Sequence, residues 1–393
     1  MSPIRVTLLS LAAIAGLVAC GGESRDLVSA PAASTAEHRN PSVPSERQLG
    51  LLMHDPVRNH VYLVGGLSPE FCSDIACSNA LINDLWRFDA DSRRWTKMAD
   101  VLPPSVGDAG ALDFRSRHII EYQPYFNHET ATWAYDVEKG IWENRHPAVE
   151  PPGRWGSMMT YDSRADRALL FGGAALTTFD PNLDISPLND LWAYDYETNT
   201  WTERHPAVSP PPRQWHAIVY VPSIDRAILF GGFDPSNNSL LNDTWAYDYR
   251  HNRWTNLHPE HAPAPRFSHY MAFEPRTNRL VLYGGFRGVY ESVDGETWIY
   301  DIARNRWTQA SPEESPGPLV GHTMSRTNGP VLLFGGGAEP PAWGNGTYFF
   351  SSRTNEWEHV AGGAAASSVA GFRRAQAADG QVTSRASARG FRR

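Results

Sequence analysis

Cysteine is scarce in this chain: Cys20, Cys72 and Cys77 are the three in 393 residues, so no dense disulfide framework holds the fold together. Positive charge is also in deficit. Thirty-five Lys and Arg against forty-three Asp and Glu leave a formal charge of −8, opposite to the basic footprint of a nucleic-acid binder. No segment after residue 20 is long and apolar enough to span a bilayer. Walker loop, HExxH and GxSxG signatures are missing, which removes the common nucleotide and hydrolase sites. In their place stand 32 glycines and 14 tryptophans with 41% hydrophobic content, the profile of a β-rich, turn-rich protein with a sizeable core.

The first residues differ from the rest. Arg5 precedes an apolar run from Val6 to Leu17, and Leu17-Val18-Ala19 lead into Cys20, which predicts a signal peptide over residues 1–19. Small residues before a cysteine resemble the bacterial lipobox, which implies cleavage ahead of Cys20 and acylation of its thiol; a soluble exported form is the alternative. The expected address is the bacterial cell envelope, lipid-anchored, either periplasm-facing or surface-exposed; Gly21 after the cysteine, by resemblance to enterobacterial lipoproteins, implies the outer membrane. Export makes a disulfide between Cys72 and Cys77 the expectation, and its short loop limits its stabilising effect. Residues 20–45 are small, polar and proline-containing, suited to a flexible tether. Residues 361–393 carry six arginines and one aspartate and are expected to form a disordered tail, solvated or drawn to an anionic surface.

Between them a pattern repeats. A tryptophan or tyrosine is followed nine residues later by tryptophan at Trp86/Trp95, Trp133/Trp142, Trp192/Trp201, Trp245/Trp254, Trp298/Trp307 and Tyr348/Trp357. Ahead of each pair an apolar strand ends in Gly-Gly at Gly65, Gly172, Gly231, Gly284 and Gly335, with Tyr122-Gln123 in the second unit. Turn-forming residues recur too: Arg93, Gly140, Asn199, Asn252, Asn305 and Asn355 stand two before the second tryptophan, mostly types that accept positive φ. Arg93 predicts a different or strained turn. Asn59, Ser116, Asp166, Asp225, Asn278 and Gly329 form a second turn column. Four strands in units of about fifty residues mark the blades of a propeller. Gly-Gly, Trp-x-Tyr-Asp and a tryptophan nine residues on resemble the kelch repeat over residues 46–360. The resemblance implies an all-β, six-bladed kelch-type propeller, with the aromatic rings packed between blades.

In such a meander the tight first and third connections lie on one face, and the long second connections and inter-blade links lie on the other. Binding is expected on the long-loop face. Four candidates there are Arg47, Arg154, Arg213 and Arg266, eighteen residues before the first diglycine position. They suit an anionic ligand through bidentate hydrogen bonds. Equally, Asp84, Asp190, Asp243 and Glu296 occur in the same four units, which makes structural ion pairs the competing reading. Gly50, Ser157, His216, His269 and His322 share one inner-strand position; inter-blade packing with a hydrogen bond is expected rather than metal ligation. The links RHPAVEPPGRW and RHPAVSPPPRQW add His146 and His205 to the binding candidates, together with Trp155, Trp215 and Phe267 at their ends. Asp180 begins like a calcium loop, but Ile185 and Leu191 occupy positions that need glycine and a bidentate acid. No metal, cofactor or catalytic residue is expected. The reading is a monomeric binding module for an envelope or extracellular protein or glycan. The alternative is a sugar-active enzyme, since some kelch-type propellers oxidise galactose or isomerise sialic acid, the latter by holding a carboxylate on arginine.

Overall fold

The computed structural model describes residues 42–68, 81–100, 109–124, 130–176, 185–288, 292–338 and 343–363. The signal peptide, Cys20, Cys72, Cys77, most of the tether and most of the tail lie outside them. Among the described residues the structure contains strands and no helix. Six four-stranded antiparallel sheets follow one another along the chain, each a meander in sequence order. The fourth is representative, with strands Ala217–Val221, Arg226–Asp234, Ser239–Asp248 and Arg253–Asn256. The first strands, Leu51–Asp55, Ala109–Asp113, Met158–Asp162, Ala217–Val221, Tyr270–Glu274 and Thr323–Ser325, each neighbour the next, and the last neighbours the first. They surround a central channel of about 180 Å³.

Each letter of the recurring Leu-Asn-Asp-Thr-Trp-Ala-Tyr-Asp run has a task in this arrangement. The asparagine side chain holds the next inter-blade link: Asn189 donates to the Pro210 carbonyl (3.2 Å) and Asn345 to that of Pro44 (3.0 Å). The acid receives the buried arginine, described below. Threonine serves the following blade. Trp307 Nε1 donates to Thr244 (3.1 Å), Trp357 to Thr297 (2.9 Å), Trp201 to Thr132 (2.8 Å) and Trp95 to Thr347 (3.0 Å). Where the preceding blade has Leu85 or Leu191 instead, Trp142 Nε1 and Trp254 Nε1 are buried with no partner among the described residues. Tyr194, Tyr247 and Tyr300 donate to Asn199, Asn252 and Asn305 of the tight turn (2.6–2.8 Å). The final aspartate caps that turn: Asp195 accepts from the backbone N–H of Glu197 and Thr198.

The indoles fill the seams between sheets. Leu169, Phe171 and Leu191 of blade 3 pack with Leu229, Trp245 and Trp254 of blade 4 in one buried cluster. Leu332, Phe334 and Phe349 of blade 6 meet Val61, Trp86 and Trp95 of blade 1 in another. The seam between the last and first blades is also stitched by the same backbone bonds as the others. Gly336 N donates to Arg47 O (3.0 Å), just as Gly173 N donates to Arg213 O and Gly232 N to Arg266 O. Among the described residues no strand is exchanged to close the cycle.

Blade 2 corrects the register expected from sequence. Asp113 pairs with His118 as Asp55 pairs with His60. Positive φ accordingly falls on Arg117 (63°), the counterpart of Asn59 (55°), and not on Ser116. Tyr122 therefore stands where Phe230 stands in blade 4, and Gln123-Pro124 occupy the diglycine positions. Proline has no N–H, so the backbone bond donated by the second glycine cannot form at this seam. The Tyr122 hydroxyl bridges it, against the Pro151 (3.1 Å) and Pro152 (2.7 Å) carbonyls. Arg93, expected to break the turn pattern, adopts the same left-handed conformation (φ 59°) as its five counterparts. Its guanidinium is held by Glu358 (2.5 Å) and lies over the Phe349 ring.

Candidate functional site at the loop-face mouth

On the face bearing the long connections, the residues just before each first strand form the channel lip. The four arginines lie beneath it, 0–1% exposed. Arg213 is representative: Nη1 and Nη2 grip Asp243 (2.6 and 2.8 Å), Nη1 also reaches Gly231 O (3.0 Å), and Nε donates to Pro211 O (3.0 Å). Trp245 Nε1 donates to the same carboxylate (2.7 Å). Arg47 with Asp84 and Trp86, and Arg154 with Asp190 and Trp192, repeat this unit. Arg266 divides between Asp294 (3.0 Å) and Glu296 (2.9 Å). Burial opposes charge on Asp243, but the bonds and charge of Arg213 outweigh it and hold the carboxyl below its ordinary value. Blade 6 has Leu319 at this position, which accepts the Gly285 N–H as Arg213 accepts that of Gly173.

These guanidinium groups are committed to their own blades, as the ion-pair reading has it. They are not presented to the lumen, so the geometry offers a carboxylated sugar no free donor from Arg154, Arg213 or Arg266.

The histidine column is buried as well. His216, His269 and His322 stand edge-on against Phe171, Phe230 and Tyr283 of the preceding blade, with ring centroids 5.4–5.6 Å apart. A Cβ on Gly231 would come within 2.9 Å of His269 Cε1, so the first glycine of the pair makes room for the next blade's imidazole. The packing matches expectation. The hydrogen bond is missing for His216, whose two ring nitrogens have no partner among the described residues, whereas His269 and His322 interact with the backbone of Phe230 and Tyr283 in the preceding blade. Burial pushes all three pKa values down, that of His322 to about 3. Each ring occupies a separate seam.

What does reach the lip is aromatic. Trp215 is half-buried and packs on Phe267 (5.7 Å), which in turn contacts Phe233 (5.7 Å) and stacks on Phe286 (5.1 Å). Trp155 lies one blade away and half-buried, its backbone paired with Ala174. Trp215 holds φ 51°, uncommon for a bulky side chain. Its counterparts Leu49, Gly156, Ser268 and Gly321 share the conformation (52–66°), so the lip imposes it. A Cβ on Gly156 would come within 3.1 Å of Trp215 Nε1, placing the indole across the neighbouring blade. Across the mouth Leu49, Leu67, Leu81 and Trp343 form a second apolar cluster.

The sequence reading named Trp155, Trp215 and Phe267 but missed Phe233 and Phe286. Their signal was legible, since both directly follow a diglycine. His146 and His205 are exposed, but each follows the outermost strand of its blade. The structure therefore places them at the outer edge of the face, apart from the aromatic row.

A family profile described as the KLHDC2/KLHL20/DRC7 Kelch-repeats domain matches residues 57–285 and 216–380. Adagio protein 3 of Arabidopsis thaliana is 26% identical over 215 residues, covering 51% of this chain and 33% of that protein. An F-box/kelch-repeat protein of the same plant is 29% identical over 237 residues, covering 53% and 46%. Tip elongation aberrant protein 1 of Schizosaccharomyces pombe is 25% identical over 199 residues, covering 48% and 16%. The matched relatives are thus more than twice as long as the segment they share with this chain.

Proposed function

Since the chain belongs to the kelch-repeat family, we propose that it is an interaction module whose loop-face mouth docks a protein partner. The aromatic row from Trp215 to Phe286 carries this reading. Large rigid rings, half-exposed and supported by a second layer, are the residue type that dominates interface energetics. The buried arginines support the row from below without contributing donors of their own. Replacing a central aromatic anchor typically costs 2 kcal/mol or more, roughly thirtyfold in affinity.

A photo-crosslinking residue at position 215, with a control at exposed Ile224 on the tight-turn face, tests it in envelope extracts. A protease-sensitive adduct specific to position 215, lost on Trp155→Ala, is expected. Adducts equal at both positions sink the proposal, and a glycosidase-sensitive adduct reassigns the partner to glycan. The same proposal places the propeller in a bacterial envelope through an acylated Cys20, supported by the apolar run from Val6 to Leu17 ahead of the cysteine. Metabolic palmitate labelling of the full chain that persists in Cys20→Ser rejects that part.

A further inference from the structure

Arg326, half-buried, breaks the rule that the fully buried arginines obey. It lies just past Thr323–Ser325, at the end of the channel that opens on the tight-turn face, and lines the lumen. Burial depresses its pKa from the ordinary arginine value. Its Nε is buried with no hydrogen-bond partner among the described residues. Arg47, Arg154, Arg213 and Arg266 each have an acid within 3.0 Å, whereas the Arg326 guanidinium has no ion pair among the described residues and lies over the face of Phe273, 5.7 Å from the ring centroid.

The lumen provides no compensation. Its lining includes no aspartate or glutamate among the described residues. His54, the other base on the wall, is held neutral by burial, its pKa pushed down to about 3. An unneutralised charge in a part-buried apolar setting is costly. Arginine is also the side chain best shaped to grip a carboxylate with two parallel bonds. The rest of the wall is mostly aliphatic, with Met53, Val219 and Ala272 along it. The lumen volume of about 180 Å³ is enough for a small organic anion lying along the wall.

We propose that the turn-face end of the channel binds a small monocarboxylate, its charge met by Arg326 and its apolar body lying along the aliphatic wall. This site is on the face opposite the aromatic lip and stands independently of what docks there.

The test uses the full chain with its methionine methyl groups labelled by carbon-13. Met53 and Met324 line the lumen, and Met98 is not among the lining residues and serves as the internal control. Sodium butyrate is titrated against butyramide, sodium chloride and sodium sulfate at matched ionic strength. Butyrate should shift the Met53 and Met324 signals saturably in the millimolar range while Met98 stays fixed, and butyramide should bind at least tenfold more weakly. Arg326→Met should weaken butyrate at least tenfold. Arg326→Lys, which keeps the charge but loses the fork, should weaken it severalfold and stands in if the methionine variant does not fold. Equal responses to butyrate and butyramide, tighter binding of sulfate than of butyrate, or butyrate affinity unchanged in both variants would each overturn the assignment.

Discussion

Replacing Asp243 by asparagine exchanges one oxygen for an NH₂ group at almost constant volume, yet it turns a hydrogen-bonded charge pair into an uncompensated one. The carboxylate receives two bonds from Arg213 and one from Trp245. The amide retains one acceptor oxygen and points donors at donors. Breaking one partner of a buried pair costs about 3–5 kcal/mol. Because the Asp243 side chain keeps 23% exposure while Arg213 has none, the lower end, about 3 kcal/mol, is expected. Urea denaturation followed by tryptophan fluorescence measures it as a shift in midpoint at unchanged slope. Adding Arg213→Met should recover part of the loss, since the stranded charge is then gone, and the coupling should exceed 1 kcal/mol. The pH dependence has a definite sign. A folded-state pKa below the ordinary value means the pair's contribution is complete above about pH 3.9 and is lost as pH falls through the folded value. Asp243→Asn should lack that acid-side step. A loss below 1 kcal/mol, or a double variant no more stable than Asp243→Asn alone, would refute the ion-pair account of all four arginines.

Thr244→Val removes the acceptor for Trp307 Nε1 in a seam where both residues are fully buried. It should cost about 1–3 kcal/mol, whereas Thr244→Ser should cost the ~0.8 kcal/mol of one buried methyl; equal losses in urea denaturation argue against the cross-blade bond. The buried neutral histidines make the fold acid-sensitive. With folded pKa values below the ordinary 6.5, stability is complete above that pH and declines as pH falls, for His322 down to about pH 3, at about 1.4 kcal/mol per pH unit per ring. His322→Gln should flatten the slope of stability against pH between 6 and 4 by about that amount, and an unchanged slope places the acid sensitivity elsewhere. Gly285→Ala puts a methyl 2.7 Å from Phe267 O and 2.8 Å from His269 Cβ at φ 92°. It should lower the thermal midpoint by several degrees, measurable by calorimetry.

The repeat was legible because each of its columns answers a local or nearest-neighbour demand. Asn199, Asn252 and Asn305 announce a left-handed turn, and the matched presence of Arg213 and Asp243 announces a pair within one blade. Blade 2 misled because Tyr122 is an aromatic before a polar residue, and counting residues from the turn could not tell Ser116 from Arg117. Only the pairing of Asp113 with His118 settles it. The indole-to-threonine bonds were not legible, since they join residues some 60 to 250 positions apart whose meeting depends on how sheets stack. Arg326 was missed for a related reason. Its singularity lies in having no ion-paired acid among the described residues, and a missing neighbour leaves no mark in a linear pattern.

Asn345 touches both margins of the ring at once: its amide nitrogen reaches Pro44 O, and its Oδ1 accepts from Gly363 N (2.8 Å). Entry and exit of the polypeptide are therefore side by side, held by one side chain, at a junction whose backbone bonds match those at other junctions. Where the chain is cut is then physically arbitrary. A short linker joining the two margins, with new ends opened in any tight hairpin, should give the same disc.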